Sequence, residues 1–182
     1  MARNHSPKNR TLGITLIETL CVLAILVVLF GQALPSLTDM RQNQLLRNTL
    51  QTVETDINHA RSLAQTTDQN IRLSLQVHPA GGSCTVVHTG PAHACRCNGQ
   101  GQAVCTGNAQ VFALSEQPAA TGVSLVLPER SLVFDAGRGT VSPTATLVIS
   151  DARGHSVRQI INIMGRTRNC SSSGLSAYPA CV

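Results

Sequence analysis

The feature that most restricts what this chain can fold into is an apolar run near its start, ITLIETLCVLAILVVLFGQAL, residues 14–34, followed by Pro35. Its polar residues are Thr15, Glu18, Thr19 and Gln32. As a helix rising about 1.5 Å per residue it is roughly 31 Å long, the thickness of a hydrocarbon core. The run therefore predicts a membrane-spanning helix over 14–35, with the rest of the chain as its cargo. Two details set it apart. Glu18 places a carboxylate inside the run, where an ionisable group is costly and usually functional. Gly13 separates the run from a polar leader, 1–13, which carries Arg3, Lys8 and Arg10. A cleavable secretory signal has about 7–15 apolar residues and then a small-x-small site; here the run is longer and the glycine precedes it. An ordinary signal anchor accommodates the length and leaves Glu18 without a role.

Leader, Gly13, apolar Ile14 and Glu18 as the fifth residue after the glycine together resemble the start of a type IV pilin or pseudopilin, with Ile14 where Phe is commonest. The resemblance implies cleavage between Gly13 and Ile14 by a prepilin peptidase and N-methylation of Ile14. It also implies a part for Glu18 in filament assembly. Other pilins or pseudopilins are then the chain's partners. The leader's positive charges would hold the N-terminus in the cytoplasm. The expectation is a single pass through the cell inner membrane, with residues 36–182 as a periplasmic domain.

Without 1–13, the net charge of +5 falls to +2, and every remaining basic residue of the 11 is Arg. That balance is too weak by itself to demand a nucleic-acid partner. Phe30, Phe112, Phe134 and Tyr178 are the aromatic residues, with no Trp, which argues against a base-stacking platform for single strands. The core has to come from Leu, Ile and Val. Leu46, Leu50, Val53, Ile57, Ala60 and Ala64 recur at steps of four and three, one face of a helix. We read one helix from about Ile14 to Thr66, apolar all round at first and amphipathic later, with a kink at Pro35.

Strand patterns follow at 71–77, 85–88, 111–114, 123–127, 131–134, 145–150 and 157–163, separated by Pro79–Gly82, Asp135–Gly139 and Asp151–Gly154. The last two strands read as a hairpin. A long helix followed by strands predicts an α+β, pilin-like fold, the helix packed on an antiparallel sheet. Gly90–Gly107, rich in Gly, Cys and His, and Asn169–Ala177, rich in Ser, read as loops.

Cys21 lies in the apolar helix, where it serves as a small apolar residue. Six cysteines lie beyond it: Cys84, Cys95, Cys97, Cys105, Cys170 and Cys181. An even number in an oxidising compartment predicts disulfides, with fifteen formal pairings. Cys170 and Cys181 flank a C-terminal loop, as in many of the pilins the chain resembles; the other four would make two bridges whose pairing stays open. The rival is a metal site on Cys84, Cys95, Cys97 and Cys105 with His88 and His93, but Cys-x-Cys is not the usual zinc spacing. No nucleophile elbow, phosphate loop or zinc-protease signature is present, so the sequence predicts neither enzyme nor cofactor.

Toward the C-terminus, LVFDAG from Leu132, TLVISDARG from Thr146 and IMGRTR from Ile163 resemble the GspH/FimT branch of pseudopilins. Gly165, Arg166, Thr167 and Arg168 match its Gly-Arg-x-Arg motif, while 78–110 match nothing in it. The resemblance implies one of two filaments. A FimT-like minor pilin would contact double-stranded DNA through Gly165, Arg166 and Arg168 during uptake, and this is the favoured expectation. A GspH-like pseudopilin would serve type II protein secretion. A structural filament subunit with no ligand is the third reading. Arg130, Arg138, Arg153 and Arg158 are candidates to extend the basic patch.

Overall fold

The structure, a computed structural model, describes residues 15–78 and 81–181, with the side chains of 32–36 outside that description. The expected leader, the Gly13–Ile14 cleavage site and the Ile14 methylation site lie outside the described residues, and the kink expected at Pro35 falls among the undescribed side chains. The chain divides into two units, Met1–Met40 and Arg41–Val182. The helix α1, Leu16–Thr67, contributes to both.

In the first unit every residue whose exposure is described is exposed, from Thr15 through Gly31 and again over 37–40. Among the described residues no helix is long and apolar enough to cross a membrane; the span expected over 14–35 extends at both ends into positions outside the description. Thr15 caps the helix start: the Glu18 N–H reaches the Thr15 carbonyl at 3.1 Å and its hydroxyl at 3.4 Å. Thr-x-x-Glu at this spacing is a capping-box sequence, and the sequence reading had not assigned Thr15 that role.

In the second unit the helix face read from the sequence is the buried one. Leu46, Leu50, Val53, Ile57, Ala60 and Ala64 are at most 2% exposed. Each large aliphatic buried this way contributes about 1.5–3 kcal/mol. They share one core with two antiparallel sheets. Sheet A has the order β5-β2-β1-β7-β8 and sheet C the order β11-β10-β9-β6. Sheet A is built from β1 (Ile71–Val77), β2 (Ser83–Thr89), β5 (Val111–Gln117), β7 (Ser131–Phe134) and β8 (Val141–Ser142). Sheet C is built from β6 (Ser124–Val126), β9 (Ala145–Ser150), β10 (Ser156–Ile161) and β11 (Thr167–Ser171). The alternation of β1 sends Ile71, Leu73 and Leu75 to the core. β7 adds Leu132 and Phe134, and β9 and β10 add Leu147, Ile149, Val157 and Ile161. The expected α+β architecture is the observed one.

Two segments expected as loops contain strands. Within Gly90–Gly107, β3 (Cys95–Cys97) and β4 (Ala103–Cys105) form a hairpin of their own, sheet B. It lies on the outer face of sheet A, where Cys84, Val86, Ala94 and Cys95 make a second small core. Cys84 is bridged to Cys97 and Cys95 to Cys105. Gln76 clasps the same hairpin, its Nε2 donating to the Cys95 carbonyl at 2.7 Å and its Oε1 accepting from the Cys97 N–H at 3.1 Å. The other segment contributes the last residues of β11. That strand reads as polar because its outer face carries exposed Arg168 and the bridged Cys170, and Thr167, on its inner face, donates to Glu54 of the helix at 3.0 Å. Cys170 is bridged to Cys181 as expected.

The helix–sheet interface also buries a carboxylate. Asp56 Oδ2 accepts from the Thr85 hydroxyl at 2.6 Å and its Oδ1 from Ser115 at 3.2 Å. Burial pushes the Asp56 carboxyl above its ordinary value, outweighing the two hydroxyl bonds and the nearby His59. A raised native value means the contribution to stability is complete below pH 3.8 and is lost as pH rises through the native value. Asp56→Asn is therefore expected to raise the thermal midpoint at pH 7, with the gain shrinking toward pH 4. Melting curves of the two chains across that window check it.

Candidate functional site

Gly165 and Arg166 lie on one turn, with Arg168 just beyond it in β11. β10 ends at Ile161 rather than at Ile163, and 162–166 form the turn into β11. Asn162 organises it. Its Oδ1 accepts from the Met164 N–H at 3.0 Å and from the Arg166 N–H at 2.9 Å. Its N–H donates to the Arg166 carbonyl, and its carbonyl accepts from the Gly165 N–H at 2.8 Å. Asn162 carried no weight in the sequence reading; an Asn three residues before a Gly was the available signal.

Gly165 is buried at φ 69, and a Cβ there would stand 3.2 Å from Val141 Cγ2 and 3.3 Å from Arg61 Cδ. The turn therefore needs glycine twice, for the left-handed backbone and for the close approach to the core. Gly165→Ala is expected to cost at least about 1 kcal/mol, measurable as a lowered unfolding midpoint in urea.

Arg166 and Arg168 flank Thr167, are both exposed, and leave the chain on the side away from the helix. The ladder places Arg168 opposite Ile160, and Arg158 opposite Cys170 and Val148. Arg158 and Arg168 therefore share the outer face of sheet C, and β6, β9, β10 and β11 contain no Asp or Glu. The other candidates are placed differently. Arg153 is held by Asp151, Nη2 to Oδ2 at 3.1 Å, and by Asn43 of the helix at 2.9 Å. Burial pushes the Asp151 carboxyl up, but bonds from His155 and Arg153 prevail and hold it below its ordinary value. The group pins the β9–β10 turn to α1. Arg130 lines a separate cleft, and Arg138 belongs to the turn between β7 and β8, its N–H donating to Asp135 Oδ1.

The metal alternative is overturned, since the four sulfurs it needed are joined in two disulfides. Among the described residues no group of His, Cys, Asp and Glu could hold a metal ion. His88, from the same candidate set, is fully buried. Its Nδ1–H donates to the Thr89 carbonyl at 2.8 Å, so its Nε2 accepts from the Ser74 hydroxyl at 2.8 Å. Burial pushes its pKa down, with Arg72 adding to the shift and the Thr89 carbonyl opposing it. A neutral, sealed histidine has no path to a substrate.

Neither the comparison with curated proteins nor that with solved structures found a match. The family model described as GspH, type II transport protein GspH, matches residues 49–165. That stretch holds most of the docked part of α1, sheet A, most of sheet C and the turn through Gly165. With well over half its length matched, the chain belongs to the GspH family, whose members are pilin-like filament subunits and not enzymes.

Proposed function

We propose that this chain is a minor pseudopilin of a type II secretion filament. The family match is the observation that carries the reading. The exposed apolar segment from Leu16 to Phe30 supports it, since helix packing in a filament or a bilayer is what such a segment requires. In this reading a prepilin peptidase cuts after Gly13, the new Ile14 amine is methylated, and the run over 14–35 anchors the subunit in the inner membrane. Three disulfides in the second unit agree with a periplasmic location. Deleting the gene is then expected to leave the system's secreted proteins inside the cell envelope. Normal secretion in the deletion strain overturns the reading.

A second reading, contact with double-stranded DNA in a pilus, is favoured by the exposed arginines on an acid-free sheet face. Duplex binding through the backbone is insensitive to sequence and falls with salt, by about 0.9 log units of affinity per log unit of salt for each phosphate neutralised. Replacing Arg166 and Arg168 together by Gln is expected to flatten that slope by up to about two units. Fluorescence anisotropy with a labelled duplex at several salt concentrations measures it. An unmodified chain that fails to bind at low ionic strength removes DNA from consideration.

A further inference from the structure

A cleft of about 630 Å³ opens where the chain crosses from sheet C to sheet A. β6 is the edge strand of sheet C and pairs with β9 alone. The turn Leu127–Arg130 then carries the chain to β7, inside sheet A. Arg130 closes this turn, its N–H on the Leu127 carbonyl, with φ at 54, a left-handed backbone that is uncommon outside glycine. Its carbonyl accepts the Leu75 N–H at 2.8 Å. There the β1–β7 ladder stops, since its register covers Ile71 to Ser74, whereas β1 continues to Val77.

The consequence is an unused strand edge. In an antiparallel ladder, alternate residues turn both N–H and C=O to the same side. Leu75 faces the β7 side, so Val77 does too, and among the described residues no strand lies opposite it. Val77 is 67% exposed and Val126, across the cleft on β6, is 55% exposed. Open edges flanked by apolar side chains are normally blunted or covered, because they recruit strands. The third wall comes from the cystine-stapled insertion, which brings Arg96 to the same cleft as Arg130, against the single carboxylate of Glu129.

We propose that this cleft binds an extended acidic segment of a partner protein, added as a strand between β1 and β6. The segment's backbone pairs with Val77, alternate apolar side chains rest on Val77 and Val126, and its carboxylates meet Arg96 and Arg130. Strand addition of this kind takes affinity from main-chain bonds and specificity from alternate side chains. The inference goes beyond the filament role and does not depend on which filament the chain enters.

The test uses the full chain in detergent micelles and three labelled eight-residue peptides. One alternates valine with glutamate, one alternates valine with lysine, and the third is the glutamate peptide N-methylated at alternate positions. The glutamate peptide is expected to bind saturably and more weakly as salt rises. The other two are expected to bind at least about tenfold more weakly. Val77→Pro removes an N–H that points away from β2, and Arg130→Gly keeps the positive φ while removing the charge. Val77→Pro, and Arg130→Gly combined with Arg96→Gln, are each expected to weaken binding about fivefold or more without moving the melting midpoint. Equal binding of the three peptides, no binding at millimolar concentration, or undiminished binding by both variants overturns the proposal. Self-association of the chain that Val77→Pro abolishes would also overturn it, by assigning the cleft to a second copy.

Discussion

Glu18→Ala is expected to insert into the membrane and fold normally yet enter filaments at least about tenfold less often than the unaltered chain. The argument rests on charge. In the proposed filament the Glu18 carboxylate meets an Ile14 amine, on a neighbouring subunit, inside apolar surroundings. Removing the carboxylate leaves that amine unpaired, and breaking a buried ion pair by taking away one partner costs about 3–5 kcal/mol. Each 1.4 kcal/mol is tenfold in an equilibrium. The structure supplies the competing explanation, because Glu18 also closes the Thr-x-x-Glu capping sequence that begins at Thr15. A capping box accepts Gln as well as Glu, whereas a charge pair does not. Glu18→Gln should therefore assemble as poorly as Glu18→Ala if the charge matters, and normally if only the cap does. Immunoblots of sheared filaments against the membrane fraction separate the cases, and wild-type assembly of both variants would remove Glu18 from the mechanism.

What the sequence made readable, and what it hid, follows from how each element is buried. The docked half of α1 was legible because its contacts lie on one stripe of a 3.6-residue period, and all six residues of that stripe are in the core. β7 and β9 were legible to the residue because a half-buried strand alternates. β3 and β4 were not. They are three residues long, and two disulfides with a small patch of Ala and Cys do the work that alternating Leu and Val do elsewhere. β11 was hidden for the opposite reason: its inner face meets Glu54 and its outer face carries exposed Arg168 and the bridged Cys170, so no apolar period exists to read. At the candidate site, Gly165 announced a turn and the arginines announced charge. The Asn162 bonds that shape the turn depend on a side chain folding back on its own backbone, which composition does not reveal. Arg153 looked like its exposed neighbours in sequence, and a residue 110 positions away, Asn43, decides where its guanidinium goes.

The second large effect concerns the two bridges that staple the insertion. Cys84–Cys97 and Cys95–Cys105 close loops with separations of 13 and 10 residues. A bridge of that size stabilises a domain by about 2–4 kcal/mol, chiefly by restricting the unfolded chain. The two loops overlap over 95–97, so their contributions should add incompletely. Even so, losing both removes a large share of the 5–15 kcal/mol typical of a whole domain. Alanine at all four positions avoids burying new hydroxyls where Cys84 and Cys95 are at most 1% exposed. The expected result is a domain that still folds on the α1 core but melts far earlier. Protease should cut it within 90–107, while the Cys170–Cys181 loop stays intact. His88 reports the change independently. It is fully buried on the outer face of sheet A, and burial is the main reason its pKa lies below the ordinary histidine value of 6.5. Once the hairpin lifts away, water reaches the ring and its pKa should climb back toward that value, which proton NMR of the imidazole resolves directly. An unchanged His88 titration with an unchanged cleavage pattern would mean that the hairpin holds its place by packing and the Gln76 clasp alone.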